Sequence, residues 1–486
     1  MEATHQSQSS ALQQSPPRLS SPVRFALLVA PPLAIGLLLR LWMLKHPFQV
    51  NGDALIYGAI AKNLLLHGYY AFSGANGDFI PTLIRLPGYP IFLAICFQLF
   101  GMENYFSAAI LQIVLELLSC LLLADFAARI APPGLAYRAR LATLWLAALC
   151  PFTASYAAAP LAETPTLVAL SLALWAAARF YDLPGWTNAL LFTLAVTWEA
   201  LLRPDGALVA IALAPALVLG FRRANPPAAI LPKKLLRMTL VCILLALAPF
   251  VLWTARNWQT FHVFQPLAPR LANDPGEDPY PGWERWTKSW CLDFISTYNV
   301  YWEVPDSPLN VKKLPSRAFD SPAQYAETAA LAADYNSSGY NLTPEIDARF
   351  ARLAQQRIAA HPLRYYVWLP LGRVVDMVLR PRVENLDIDL DWWVYSHHHK
   401  ETEFSFAYAA LNALYLALAA FALRLRPRFW KSMLAFFLMR CALLLTVEAP
   451  EARYTLEFFP ILFALSGIDI SSLMTRAGQC SSRLST

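Results

Sequence analysis

The sequence predicts an all-α membrane protein that crosses the bilayer many times. Of its 486 residues, 57% are hydrophobic and only 15% are charged, and the mean hydropathy is +0.39. Several apolar runs approach the ~20 residues that a helix needs to cross a bilayer. We expect about 10 transmembrane helices, within a range of about 9 to 13. Juxtamembrane helices in the first outer loop and a small, mainly helical extracytoplasmic region complete the predicted fold.

Basic residues between the apolar runs give the predicted orientation, because Lys and Arg collect in cytoplasmic loops. With the N-terminus inside, the basic clusters at 18–24, 129–140, 222–237 and 424–431 all fall on the cytoplasmic side. The first run contains Arg40 and lacks a small-residue cleavage site, so it is predicted to be a membrane helix and not a signal peptide. The predicted spans are 23–44, 105–130, 139–157, 164–181, 187–202, 205–220, 238–255, 404–423, 430–447 and 455–473.

Four regions follow from this assignment. Residues 1–22 are rich in Ser, Gln and Pro and are expected to form a disordered cytoplasmic tail. Residues 23–255 form an N-terminal membrane module that includes the first outer loop at 45–104. Residues 256–403 form an extracytoplasmic region, and 404–486 form a C-terminal membrane module. The seven cysteines mostly fall inside apolar runs, so no disulfide framework is indicated.

Several local elements can be placed outside the spans. A helix is predicted from Asp53 to Gly68, followed by a turn at 73–78. The apolar segment at 87–101 is too short to cross comfortably, so we expect it along the outer surface or re-entrant against protein. Thr343 before Pro344 predicts the start of a helix that runs to about Ala360. A second helix is predicted from 321–322 to about 336.

Ionisable residues gather on the predicted outer side. Asp53 lies in the first outer loop, Glu163 and Arg203 at two outer turns, and Arg453 just before the last span. Asp53 alone could be a helix cap, and each of the others could be a membrane anchor or a structural ion pair. Because charges at such depths are costly and usually functional, their position on one side indicates a site.

Four short motifs carry a family resemblance: Gly52-Asp53-Ala54 with Tyr57, the run 85–90, the run 161–164 and the run 450–454. Together they resemble the GT-C superfamily of membrane glycosyltransferases. They are most similar to the branch with the dolichyl-phosphate-mannose protein mannosyltransferases and the bacterial lipid A aminoarabinose transferase. The resemblance implies transfer of a sugar from a polyprenyl-phosphate donor lipid to an extracytoplasmic protein, lipid or glycan, and a location in a bacterial plasma membrane. It implies no nucleic-acid partner.

The resemblance also implies roles for individual residues. By position, Asp53 is the catalytic carboxylate and Glu163 the second acidic site, while Arg85 contacts the donor phosphate. A polyprenyl-phosphate sugar carries its own good leaving group, so the chemistry needs one base and fixed cations for the developing charge. Asp53 suits the base, and direct displacement would invert the anomeric carbon. The candidate phosphate-binding residues are Arg85, Arg453 and Arg203, and the candidate substrate-binding residues are Tyr57, Tyr89 and Tyr454.

The metal requirement stays open at this point. Many members of the superfamily carry Asp-Glu in the first outer loop, but this chain has Asp53-Ala54, which removes one metal ligand. No cofactor is indicated with certainty, and a divalent metal ion remains an alternative. The acidic run at 387–391 and the histidines at 397–399 could hold an ion, although a solvated loop explains them more simply.

Two further alternatives concern aromatic residues and function. The aromatic residues Trp283, Trp286, Trp290, Tyr301 and Trp302 could stack on sugar, and an interfacial aromatic belt explains them equally well. The rival function is a lipid or saccharide transporter. Transporters tend to show paired repeats and broken helices near the midplane, and the sequence shows no repeat and no midplane acid cluster.

Overall fold

The computed structural model describes residues 21–46, 48–224, 231–277 and 279–484. The tail predicted at 1–22 lies almost wholly outside this range. Within it, the chain forms eighteen α-helices and a two-stranded antiparallel hairpin. The elements are α1 (Ser21–Lys45), α2 (Asp53–His67), β1 (Ala71–Ser73), β2 (Phe79–Pro81), α3 (Gly88–Phe100), α4 (Tyr105–Ile130), α5 (Ala136–Ala148), α6 (Pro151–Ala157), α7 (Glu163–Asp182), α8 (Trp186–Leu202), α9 (Ala207–Ala224), α10 (Leu231–Phe261), α11 (Pro281–Lys288), α12 (Phe294–Ser296), α13 (Pro322–Ser337), α14 (Pro344–Ala360), α15 (Leu369–Leu379), α16 (His399–Ala422), α17 (Trp430–Leu444) and α18 (Phe459–Leu484).

The helices agree with a fold that crosses the membrane several times. In the described ranges, six helical segments are long and apolar enough to span a bilayer: Leu27–Lys45, Tyr105–Ile130, Pro204–Ala224, Lys233–Phe261, His399–Leu425 and Ala452–Gln479. Nine of the ten predicted spans each correspond to one helix, although α10 is longer than predicted at both ends and α18 at its C-terminal end. The total number of crossings stays a prediction.

The predicted span at 139–157 is wrong as a single helix. It is divided into α5 and α6, because Pro151 has no N–H to donate and cannot continue α5. The break leaves carbonyl groups at the end of α5 that need donors. Arg40 of α1 donates to the carbonyl of Ala148 at 2.6 Å and forms a buried ion pair with Glu116 at 2.5 Å. The polar residue in the first span thus joins three helices.

One end of the helical assembly carries a network of ion pairs from the predicted cytoplasmic loops. Asp182 at the end of α7 accepts from Arg129 at 2.9 Å and from Arg428 at 2.6 Å. Asp125 pairs with Arg129 and Arg140. Two basic clusters that the sequence places on the same side of the membrane therefore meet in space.

The first outer loop contains α2, the hairpin and α3. Helix α2 begins at Asp53 as predicted and closes at Gly68, which has a left-handed backbone with φ 73°. The hairpin strands flank the predicted turn, with Phe72 opposite Ile80. Helix α3 packs tightly against α8, since a Cβ on Gly88 would lie 2.5 Å from the carbonyl oxygen of Leu201. A larger residue at position 88 would push the two helices apart.

The region between α10 and α16 is mainly helical, as predicted. Thr343 caps α14 through the backbone N–H of Ile346, and Ser321 caps α13 through that of Gln324. The residues Trp283, Trp286 and Trp290 are buried in the core of this region, where Trp286 packs against Phe350 at 5.1 Å between ring centroids. Both interpretations of these three tryptophans, sugar stacking and a membrane belt, are therefore wrong, because they are enclosed by protein.

Candidate active site

Asp53 lies at the first position of α2, directly after Gly52. Its carboxylate accepts a hydrogen bond from Arg85 Nη2 at 2.6 Å and another from Arg453 Nη1 at 2.8 Å. The capping position belongs to Gly52, and no side chain caps this helix. The helix-cap explanation of Asp53 is thus not supported. Its two oxygens instead bridge two guanidinium groups.

The backbone that carries Arg85 is held by contacts on both sides. Tyr70 donates from its hydroxyl to the carbonyl of Arg85 at 3.0 Å. Arg256 of α10 donates to the carbonyls of Thr82 and Tyr70 at 2.7 and 2.6 Å. Asp274 accepts from the backbone N–H of Leu83 at 2.7 Å. The segment after the hairpin is therefore fixed to α10 and to the chain that follows α10.

Arg453 lies in a 3₁₀ segment, Ala452–Phe458, that leads into α18. Two buried arginines fix this segment through its backbone. Arg382 donates to the carbonyl of Ala452 at 3.0 Å and to the hydroxyl of Thr455 at 2.5 Å. Arg440 of α17 donates to the carbonyl of Tyr454 at 2.7 Å. Because the backbone on both sides of Arg453 is held, the position from which its side chain extends is fixed.

A row of alternating charges runs inward from Asp53. Arg453 lies 3.5 Å from Glu163, and Arg203 contacts Glu163 at 3.8 Å. Arg203 also contacts Glu457 at 3.0 Å, and Glu457 pairs with Arg440. The side chains of Arg85, Asp53, Arg453 and Arg203 are 19–24% exposed, whereas those of Glu163, Glu457 and Arg440 are at most 6% exposed. The part of the row that contains Asp53, Arg85 and Arg453 is thus one that a ligand can reach.

The charges in this part of the row control the protonation of Asp53. Burial alone would raise the pKa of Asp53, but the positive charges of Arg453 and Arg85 outweigh it and lower the pKa to about 2. Burial raises the pKa of Tyr57 to about 12, and the negative charge of Asp53 adds to that shift. Asp53 is therefore ionised, but as a weak base while both arginines hold it.

The three predicted tyrosines occupy different positions. The Arg85 guanidinium lies 5.9 Å from the ring of Tyr57, and those of Arg203 and Arg453 lie 5.3 and 5.8 Å from the ring of Tyr454. Tyr89 is fully buried and donates to Gln112 at 2.7 Å. Its ring meets Tyr57 edge to face at 4.9 Å. Tyr89 therefore supports Tyr57 from the core.

The residues around Asp53 do not fit a divalent metal ion. Both carboxylate oxygens of Asp53 are engaged by cations, and Ala54 offers no ligand. Among the described residues, the group with metal-like spacing lies elsewhere: ligand atoms of Asp389, Asp391 and His398 lie within 4.8 Å of one another. There the imidazole nitrogens of His398 face the two carboxylates at 3.4 and 3.2 Å. A histidine between two acids accounts for this group without an ion.

Several members of the charged row were missed from the sequence. Arg440 and Glu457 lie inside predicted spans, and Glu199 of α8 is fully buried beside them. Arg382, which holds the segment before Tyr454, falls in the extracytoplasmic region. For the first three, the overlooked signal was an ionisable side chain within an apolar run. Arg382 bonds two backbone carbonyls and the uncharged side chains of Asn412 and Thr455, and the sequence offers no comparable signal for it.

Comparison with known proteins gives distant structural likenesses. No family model and no curated protein matches the sequence. The chain is similar to AglB from Archaeoglobus fulgidus, an archaeal oligosaccharyltransferase in complex with an inhibitory peptide and a dolichol-phosphate. Here the TM-score is 0.47 and the identity 12%, over 94% of this chain and 52% of AglB. The chain thus spans about half the length of AglB.

A second likeness is to ArnT from Cupriavidus metallidurans. The apo structure gives a TM-score of 0.37 and 16% identity, over 92% of this chain and 78% of ArnT. The structure bound to undecaprenyl phosphate gives 0.40 and 17%, over 91% and 78%. Each likeness covers more than nine-tenths of this chain at low sequence identity. Likenesses this distant assign no role to any residue of this chain.

Proposed function

We propose that the chain is a membrane glycosyltransferase that moves one sugar from a polyprenyl-phosphate donor to an acceptor on the extracytoplasmic side. The observation that supports this best is the Asp53 carboxylate held between Arg85 and Arg453 in the accessible part of the charged row. In this arrangement a carboxylate that could accept a proton and two guanidinium groups that could bind phosphate lie within one hydrogen bond of each other.

The balance of charge indicates how a donor phosphate would bind. The site joins four guanidinium groups and five carboxylates, namely Arg85, Arg203, Arg440 and Arg453 with Asp53, Glu163, Asp205, Glu451 and Glu457. The site therefore has no surplus cation. Arginine pairs well with phosphate oxygens, so an incoming phosphate competes with Asp53 for Arg85 and Arg453. Donor binding would draw both arginines away from the carboxylate.

This exchange would activate Asp53 as the base. Once the arginines face the phosphate, the charges that lower the pKa of Asp53 are farther away, and its affinity for a proton rises. Asp53 then accepts the proton of the acceptor hydroxyl. The acceptor oxygen bonds to the anomeric carbon as the bond from that carbon to the phosphate oxygen breaks. The polyprenyl phosphate leaves with the electron pair, and Arg85 and Arg453 stabilise its charge.

The other predicted residues act around this step. Glu163 contacts Arg453 from the buried side, so it orients that guanidinium, and Arg203 balances the charge of Glu163. Tyr454 and Tyr57 offer ring faces beside the arginines. One displacement at the anomeric carbon inverts its configuration. The lipid tail of the donor would lie among the apolar helices, with its phosphate at the water boundary.

The proposal is tested with purified protein in lipid nanodiscs and in sealed vesicles. Radiolabelled polyprenyl-phosphate sugars are added with a membrane extract that supplies acceptors. Sugar on a new acceptor, absent with Asp53→Asn, supports the proposal. Movement of the intact donor across the vesicle bilayer without transfer would instead indicate a lipid transporter. If no donor in the set gives a product and none crosses the bilayer, the result contradicts both a glycosyltransferase and a lipid transporter.

A further inference from the structure

Helix α15 carries an exposed apolar stripe. Leu371, Val375 and Leu379 are spaced by four residues and are exposed, whereas Arg373 and Met377 are buried on the other face. Just before the helix, Tyr366 and Trp368 are 67% and 66% exposed. An amphipathic helix with aromatic residues at one end is typical of a segment lying in the membrane interface. Helix α15 contacts α17 and also α16, which is long and apolar enough to span a bilayer.

A cavity of about 380 Å³ opens at the C-terminal end of this stripe. Val375 and Leu379, both members of the stripe, form its apolar wall, and the side chains of Asp293, Asp376 and Arg380 line it with polar groups. Its volume falls at the lower end of the range of ligand pockets, about 300–1,000 Å³. A membrane-facing apolar wall with charged groups behind it suits an amphiphile whose head group is polar.

Two tryptophans make the cavity suitable for a sugar. Trp392 and Trp393 line it, with their rings nearly perpendicular at 83° and centroids 5.7 Å apart. Aromatic rings pack on the C–H faces of sugars. The carboxylates of Asp293 and Asp376 already pair with Arg317 and Arg380, but they keep lone pairs that can accept from sugar hydroxyls. A phospholipid head group without hydroxyls would leave these groups unused.

The cavity is a neighbour of the candidate active site. Its residue Arg380 is two residues from Arg382, which bonds the carbonyl of Ala452 next to Arg453. Helix α15 also contacts this segment directly, since the Thr455 hydroxyl donates to the carbonyl of Met377 at 2.9 Å. A head group in the cavity would therefore lie close to the segment that carries Arg453.

We propose that this cavity binds the head group of a lipid-anchored saccharide, which enters from the outer leaflet along Val375 and Leu379. The saccharide is then the acceptor class of the transfer reaction. That the saccharide is the acceptor rests on the proposed function, whereas binding of the saccharide in the cavity does not depend on it.

The test uses wild-type protein in phosphatidylcholine nanodiscs without any donor. The probe is a disaccharide linked to diacylglycerol, with a photoreactive diazirine on its terminal sugar. Mass spectrometry should find the label within 375–393, and unlabelled glycolipid should compete with it. Val375→Trp fills the mouth of the cavity and should lower labelling at least tenfold. Leu371→Trp, one turn earlier on the same exposed stripe, should label like the wild type.

Three results would overturn the inference: equal labelling of the Val375→Trp variant, equal labelling by photoreactive diacylglycerol without sugar, or equal labelling by the free disaccharide at the same concentration. The first result would mean that the probe does not bind in the cavity. The second would mean that the sugar is not needed for binding, and the third that the lipid anchor is not needed. If the protein transfers sugar but is not labelled, the result contradicts the binding of a glycolipid in this cavity and leaves the proposed function intact. A protein that is labelled at the cavity but transfers no sugar supports the assignment and contradicts the proposed function.

Discussion

Asp53 is a carboxylate whose chemistry depends on the two arginines that share it. With Arg85 and Arg453 in place its pKa is about 2, and most of its basicity is suppressed. The same two contacts explain why it can be ionised in a partly buried position. At the scale of single residues, the central question is whether Asp53 accepts a proton or only holds the arginines in place.

Asp53→Asn separates these two roles. Asn removes the proton acceptor and also the charge that competes with the donor phosphate for Arg85 and Arg453. We expect transfer to fall roughly 10²–10⁴-fold, while the donor lipid binds at least as tightly as to the wild type. Transfer kinetics and equilibrium binding of a labelled donor are the two measurements. Asp53→Ala serves as the comparison for folded yield. If the Asn variant is active, Asp53 is not the base and Glu163 becomes the candidate.

Arg85 is expected to contribute through the shape of its guanidinium as well as its charge. Arg85→Ala should weaken use of the donor by about 1.5–3 kcal/mol, the range of a charge-assisted hydrogen bond. Arg85→Lys keeps a point charge and should lose less. The ratio kcat/KM for the donor is measured for both variants. If both variants keep full activity, Arg85 does not bind the donor phosphate.

At the scale of elements, the outer region offers a pH-sensitive contact. Burial raises the pKa of Glu284 on α11 to about 7, despite hydrogen bonds from the Tyr301 hydroxyl at 3.0 and 2.9 Å, and the charge of Glu448 adds to the rise. The unfolded value is 4.5, so the folded state holds a proton that the unfolded state has lost between pH 4.5 and 7. Stability contributed by Glu284 is therefore full below pH 4.5 and decreases as the pH rises to 7.

The expected result is faster hydrogen–deuterium exchange around α11 at pH 7.5 than at pH 5, after correction for intrinsic exchange rates. Glu284→Gln should remove most of that difference, because its amide does not titrate. Glu327→Gln, at an exposed position of α13, is the matched control and should behave like the wild type. The same pH difference in the Glu284→Gln variant would assign it to another group.

The ends of helices could be predicted from the sequence where a local turn, a capping residue or a proline sets them. The helices at Asp53 and Pro344 begin as predicted, since a turn or cap precedes each of them. The break at Pro151 has an equally local cause, but the apolar composition around it favoured one long span. The exposed stripe on α15 was not predicted, because the burial of its opposite face depends on helices distant in the sequence.

At the scale of the whole molecule, the charged groups at the two ends of the bundle predict its orientation. Asp53 and Glu163 both contact Arg453, so the three lie at one end, and the basic loops that meet at Asp182 lie at the other. We expect the first group on the extracytoplasmic side.

Cysteine labelling checks this orientation in a variant without native thiols. Gln49→Cys and Thr446→Cys, both at exposed positions near the candidate site, should react with a membrane-impermeant thiol reagent in intact cells. Tyr137→Cys, exposed in a predicted cytoplasmic loop, should react only after permeabilisation. The reverse pattern would invert the assignment, and labelling of all three sites in intact cells would mean that the spans are miscounted.

The sequence by itself determined the membrane class and most of the helices, because these need only hydrophobic periodicity and local caps. The cost of charge near apolar runs indicated Asp53, Glu163 and Arg453 as members of one site, and the family resemblance added Arg85. Only the tertiary structure decided how the charges pair. Asp53 and Arg453 are 400 residues apart, and the groups that fix Arg453 come from other helices. Such contacts depend on packing between distant segments, which no local pattern in the chain specifies.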